Sequence, residues 1–210
     1  LLVQGGGGSV MTRKRQSEGE EEYASYWAEV AADLAGFVRS DAMADIELDL
    51  RAAEREFEIP YDMSRFPSRE ELLALTDPED TPLPREVRPA NRSILRLWAR
   101  DMLEWSRVGT LDEGFRMHVT RWRLADGLQL VGMSGEVTAE VGRMIKDLFP
   151  DQRTVFLGYC SYTDAYVPTA AMLPEGGHEA LESMYFHDRP APFVPEIDEI
   201  IKREVAAVNK

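Results

Sequence analysis

A single cysteine, Cys160, stands among 210 residues. No disulfide can close within the chain, and no thiolate cluster can hold a metal. Histidine is scarce as well. His118, His178 and His187 are the whole complement, and neither His118 nor His187 has metal-ligand spacing to another histidine. Positive charge is in deficit, with 24 Lys and Arg against 38 Asp and Glu, a net −14. That excludes a nucleic-acid binder built on phosphate neutralisation and disfavours docking on anionic membranes. No apolar run approaches the roughly 20 residues that span a bilayer. The zincin HExxH, the phosphate-binding P-loop, the dinucleotide fingerprint and the GxSxG nucleophile elbow are all missing. Leu1-Leu2-Val3 runs into glycines with no basic segment, so no signal peptide is expected.

What remains has the composition of an ordinary globular chain, 44% hydrophobic and 30% charged. The length suits one large domain or two small ones. Tyr23, Trp27, Val30, Leu34 and Phe37 recur at helical spacing, which predicts a helix over 20–39 with its aromatic face on the core. Residues 45–61 alternate (Ile46, Leu48, Leu50 against Glu47, Asp49, Arg51), which predicts a long or interrupted strand. Ser68-Arg69-Glu70-Glu71 is a capping box that opens a short helix. Residues 77–89, rich in proline and acid, form a loop. Residues 92–107 are amphipathic and helical. Asp126-Gly127 joins two strands, 115–124 and 128–133, as a hairpin. A helix over 137–148, an apolar strand over 155–159 buried on both sides, an extended piece over 165–169 and a closing helix over 195–208 complete the reading. Helices and strands interleave, so the expected fold class is α/β, with mixed β-sheets in the centre and α-helices outside.

Polar groups gather in one tract, 131–182. Glu136 follows Gly135 at a strand end and precedes a helix, where the helix dipole favours an anion. It is read either as a ligand or as a helix-capping carboxylate. Tyr159, Tyr162 and Tyr166 crowd one loop; they are packing residues with wet hydroxyls or members of a site. His178 lies in a Glu175-Gly176-Gly177-His178-Glu179 turn, where it is a proton carrier or simply surface. Glu182, at the end of the tract, is given no role. Gly5 to Gly8 follow an expected strand at Leu2 to Gly5, and they lack the lysine of a phosphate cradle.

Gly158-Tyr159-Cys160-Ser161-Tyr162-Thr163-Asp164-Ala165-Tyr166-Val167-Pro168-Thr169 lines up without a gap on the motif Gly-Tyr-x-Asn-x-Tyr-x-Gly-Tyr-(Val/Ile)-x-Thr. Gly135-Glu136, Glu175-Gly176-Gly177-His178-Glu179 and Leu2-Val3-Gln4-Gly5 fall in matching order. In these features the chain resembles the C-terminal half of the catalytic domain of the neutral/alkaline, non-lysosomal ceramidases. Ser161 replaces the motif asparagine and Thr163 its middle tyrosine. In the glycine loop, Ser9, Met11 and Thr12 stand where the family has Asp, Asn or Ser, and Pro.

The resemblance implies that residues 1–210 form a single domain, the C-terminal part of a larger catalytic domain. It implies zinc-dependent hydrolysis of an amide, with N-acyl sphingosine or a related lipid amide as substrate by analogy. Glu136 and Tyr166 are then the metal ligands, Tyr166 and His178 the catalytic groups, and the zinc needs histidine ligands from outside this chain. Family members are often secreted or membrane-associated. Two rival readings stand beside it: an inactive or incomplete domain with a binding or structural role, and a metal-free module for a small polar ligand near His178.

Overall fold

The structure is a computed structural model and describes residues 5–9, 19–38, 45–77, 84, 87 and 91–208. The expected strand at Leu2 to Gly5 lies outside the described residues except for Gly5, as do Met11, Thr12 and most of the 77–89 loop.

The chain is an α/β fold on a four-stranded mixed sheet. The elements are α1 (Glu20–Val38), β1 (Arg51–Pro60), α2 (Arg69–Thr76), α3 (Arg92–Val108), β2 (Gly114–Ala125), β3 (Leu128–Met133), β4 (Glu136–Val137), α4 (Ala139–Asp147), β5 (Arg153–Leu157), β6 (Tyr166–Val167), α5 (Gly177–Ala180) and α6 (Ile197–Ala207). The sheet order is β1-β2-β3-β5. The first two pairings are antiparallel and β3–β5 is parallel. A separate two-stranded parallel sheet joins β4 to β6.

Local chemistry explains the elements that were foreseen. The Ser68 hydroxyl accepts the Glu71 amide while the Glu71 carboxylate accepts the Ser68 amide, closing the capping box of α2. Gly127 takes a φ of 70° in the β2–β3 hairpin, a conformation that costs glycine little. α3 ends on Gly109 at a φ of 75°.

One sheet face is the core. Phe115, Met117, Val119, Val131 and Met133 meet Val141 and Ile145 of α4 and Ile197, Ile201 and Val205 of α6. Each such fully buried aliphatic side chain contributes about 1.5–3 kcal/mol. A second cluster packs α2 on α3 through Leu72, Leu95, Trp98 and Met102, with Tyr185 edge-on to Trp98. The Trp98 indole donates to the Arg189 carbonyl at 2.7 Å, which ties α3 to the segment after α5. No described helix is long and apolar enough to cross a membrane.

Four expectations need correction. α1 forms, but its aromatic face does not enter the core: Trp27 is 41% exposed and Leu34 53%. Periodicity makes a helix; a partner is needed to bury it. The first strand begins at Arg51, not at 45, because its partner β2 bulges between Arg123 and Ala125 and then ends. The 155–159 strand lies at 153–157. It is the sheet edge with one open face, and Val155 is 38% exposed. The helix expected from 137 starts at Ala139, because Glu136 and Val137 pair with Tyr166 and Val167 instead.

Candidate functional site

The site is built where β3 and β5 end. After Met133 the chain turns through Gly135 at a φ of 87°. A Cβ there would meet Val167 Cγ2 at 2.8 Å and the Ala165 carbonyl at 3.0 Å, so the position requires glycine. The Gly135 amide donates to the Tyr162 carbonyl, and the Tyr159 amide donates back to the Gly135 carbonyl. This stitches the tyrosine loop to the turn and places β6 beside β4. Parallel pairing then sets Glu136 directly against Tyr166.

The glycine loop closes the other side. The Gly8 amide donates to the Val137 carbonyl at 2.9 Å. A side chain at Gly6 or Gly8 would run into the backbone of Thr138 or Glu136. Ser9 Oγ accepts the Ala139 amide at 3.1 Å and donates to the Glu140 carboxylate at 3.0 Å. The cap of α4 is therefore Ser9, from more than a hundred residues away. Glu136 is not a capping residue: it lies in β4, ahead of the helix, and its carboxylate is turned to tyrosines.

Those tyrosines are two. Tyr159 Oη donates to Glu136 Oε2 at 3.3 Å, and the Tyr166 hydroxyl is hydrogen-bonded to the same carboxylate. Burial raises the Tyr166 hydroxyl to about 12, and the Glu136 charge adds to the rise. Burial and Glu136 push Tyr159 upward as well. Both phenols stay protonated at neutral pH and act as donors. Tyr159 and Ser161 hold positive φ values of 58° and 71°, which is uncommon outside glycine and concentrates at functional loops.

Two imidazoles flank Tyr166. His178 stands edge-on at 5.2 Å between ring centroids and His187 at 6.4 Å. His178 Nδ1 is 3.2 Å from Glu182 Oε2, and Asn91 Nδ2 donates to Glu182 Oε1 at 2.7 Å. Glu182 is only 2% exposed. A carboxylate can only accept, so the His178 ring donates from Nδ1 and carries its lone pair at Nε2 when neutral. Burial, reinforced by the Arg189 guanidinium, lowers the pKa of His187 below the ordinary imidazole value.

The structure thus brings Glu136, Tyr166 and His178 together. Tyr162 is elsewhere: its hydroxyl donates to the Arg116 carbonyl. His118 is also apart, bound to Ser161 Oγ through Nδ1 at 2.9 Å. Sequence reasoning misses two members, His187 and Glu182, and leaves a third, Tyr159, undecided between packing and site. His187 is set aside there for want of ligand spacing to another histidine, and Glu182 is given no role. The four-residue spacing from His178 to Glu182 was the available signal for Glu182, since it stacks the two side chains on one helical turn. His187 had no such signal, because the short turns that return it to Tyr166 are tertiary.

Glu136 and Tyr166 are oxygen donors of a type zinc accepts, but among the described residues no group of three or more His, Cys, Asp and Glu is placed to hold a metal ion. Zinc sites normally use at least three protein ligands. Compared with protein-family models, with curated proteins and with solved structures, the chain has no match.

Proposed function

We propose that this chain contributes half of a zinc-dependent amide hydrolase site of the neutral ceramidase-like type. N-acyl sphingosine or a related lipid amide is the substrate by analogy. The observation that carries the reading is the Glu136 carboxylate held between two protonated phenols, with His178 and His187 around Tyr166. Glu136 and Tyr166 supply two ligands, and histidines from outside this chain complete the set. When bound, zinc polarises a carbonyl and brings the pKa of its water to about 7.

The chain's own residues have separate tasks. The Tyr166 hydroxyl, protonated at neutral pH, would turn its one proton from Glu136, once Glu136 ligates the metal, to an oxygen that gains negative charge. Tyr159 holds Glu136 in place. His178, oriented by buried Glu182, offers Nε2 to take a proton and return it to a leaving amine.

The test is zinc content and N-acyl sphingosine hydrolysis, measured on the 210-residue chain and on the same chain joined to any sequence encoded upstream. The 210-residue chain is expected to bind zinc weakly or not at all. The longer form is expected to bind it stoichiometrically, and Glu136→Ala to lose zinc and hydrolysis together. Zinc and activity both retained in Glu136→Ala would remove this reading. Wild type that stays zinc-free and inactive in both forms supports a binding or structural role instead.

A further inference from the structure

Four buried side-chain nitrogen or oxygen atoms lack a hydrogen-bond partner among the described residues. Two of them, Tyr61 Oη and Arg189 Nε, belong to residues that line one cavity. Tyr166 and His187 line the same cavity, so it opens beside the candidate site. Leaving such a group unpaired costs about 1–3 kcal/mol, and more when it is charged. The Arg189 guanidinium lies close enough to act on the Tyr61 oxygen, yet the Tyr61 O–H and the Arg189 Nε–H are both left without an acceptor among the described residues, and two such donors at one place call for a common one.

Both donors are held in position from several sides. The Tyr61 ring stacks on Phe193 at 5.4 Å, and its amide donates to the Glu113 carbonyl. Tyr61 is 4% exposed, and burial drives its hydroxyl above the ordinary phenol range, although the Arg189 guanidinium beside it, as a charge and as a weak donor to the Tyr61 oxygen, pulls the other way. It therefore stays a donor at every working pH. The Arg189 backbone is pinned at both ends, its amide on the Met184 carbonyl and its carbonyl on the Trp98 indole. Its guanidinium donates from Nη2 to the Asp164 carbonyl at 2.8 Å and lies 4.7 Å over the Phe115 ring. Arg189 is in no salt bridge among the described residues. A fixed cation without a carboxylate partner, next to a fixed phenol donor, has the chemistry of an oxyanion receptor.

The size sets the ligand. The cavity holds about 20 Å³, room for about one water-sized group. That admits a single oxygen atom, not an acyl chain. Ala165, Ala180, Ala191 and Phe193 supply small or apolar lining, which suits a carbon attached to that oxygen, while Glu179 and Ser183 are further polar members of the wall.

We infer that Tyr61 and Arg189 form an oxyanion subsite that takes the oxygen of an acyl group, as amide carbonyl before hydrolysis and as carboxylate after it. The identity of that acyl group rests on the amide hydrolase reading. The geometry of two convergent donors does not.

The test uses sodium acetate on the 210-residue chain, with sodium chloride at matched ionic strength as control. Backbone amide shifts of Ala165, Tyr166, Met184 and Ala191 are followed by NMR. Wild type shows saturable shifts with acetate and none of that kind with chloride. Arg189→Met weakens acetate binding at least tenfold. Arg189→Lys, which keeps the charge and loses Nε, also weakens it. Tyr61→Phe keeps the Phe193 stack and deletes an unpaired hydroxyl, so it melts no earlier than wild type and still weakens acetate severalfold. It carries the test if Arg189→Met fails to fold.

Absence of saturable shifts, equal shifts with chloride, or unchanged affinity in Tyr61→Phe would overturn the subsite. Zinc-dependent hydrolysis that survives such a result leaves the proposed function standing. Acetate binding by the 210-residue chain, together with a longer form that holds no zinc and hydrolyses no amide, would sink the proposed function and leave the subsite.

Discussion

The two ends of the central sheet differ in size and in chemistry, and the two do not go together. At the amino ends of β3 and β5, Arg51, Arg121 and Arg123 surround a hollow of about 370 Å³. At the carboxyl ends, Tyr61, Tyr166, His187 and Arg189 line a cavity of about 20 Å³. The large hollow is paired over most of its charge, with Arg121 Nη1 the buried atom left without a hydrogen-bond partner among the described residues. Arg51 and Arg123 share Asp49, Arg123 reaches Asp126, and Arg121 donates to Gln129 while lying over Phe149. The small cavity gathers phenols raised by burial, an imidazole lowered by burial, and two donors without acceptors. Perturbed groups cluster more densely around the small cavity than around the large one, and such clusters mark candidate sites better than open volume does.

The sharpest way to break this contrast is activity. On the proposed reading, in the chain joined to its upstream sequence, Glu136→Ala is expected to lose zinc and to reduce amide hydrolysis by at least roughly 10²-fold, the scale of losing a key electrostatic group. Arg121→Met, at the other end, should leave it within about twofold. A reversed pattern moves the site to the arginine hollow.

Stability should not separate the ends, which makes it a useful control. Glu182→Ala removes a buried carboxylate bonded to Asn91 and His178. Gln129→Leu removes a fully buried amide that bonds Arg121 and Thr154. Each is expected to lower unfolding free energy in urea by about 1–3 kcal/mol. Only Glu182→Ala should also alter hydrolysis, through the loss of His178 orientation.

A pH effect sharpens the contrast further. The folded pKa of His187 is depressed, so the folded state resists the proton that the unfolded state accepts near 6.5. Its share of stability is present in full above about 6.5 and falls as pH drops toward the lower folded value. His187→Gln should flatten the acid limb of the melting-temperature profile below about pH 6.5. An unchanged limb would show that His187 is not held neutral by its surroundings.

The smallest effect is spectroscopic. Tyr166 should ionise late, near 12, in an ultraviolet titration. Tyr166→Phe should delete that component, and Arg123→Met should leave it in place.

Legibility in the sequence tracked distance along the chain. The capping box at Ser68, the Asp126-Gly127 hairpin and the stripe of Leu95, Trp98 and Met102 on α3 are each decided within a few residues, and each formed as expected. The order of Glu136, the tyrosine loop and His178 was readable because β4, β6 and α5 follow one another closely. The role of α1 was not: its helical period is local, but burial of Trp27 needs a partner that the period does not name. The apolar run at Val155 was read as doubly buried because hydrophobicity cannot say whether a strand lies at an edge.

The amino acids themselves therefore determined the helices, the hairpin, the mixed sheet class and the carboxylate–phenol–imidazole content of one tract. Only the tertiary structure decided which phenols meet Glu136, that Ser9 caps α4, and that Tyr61 and Arg189 converge 128 positions apart. The reason is physical. Propensity and capping act through bonds that span three or four residues. Desolvation and unpaired donors exist only once distant strands have excluded water between them.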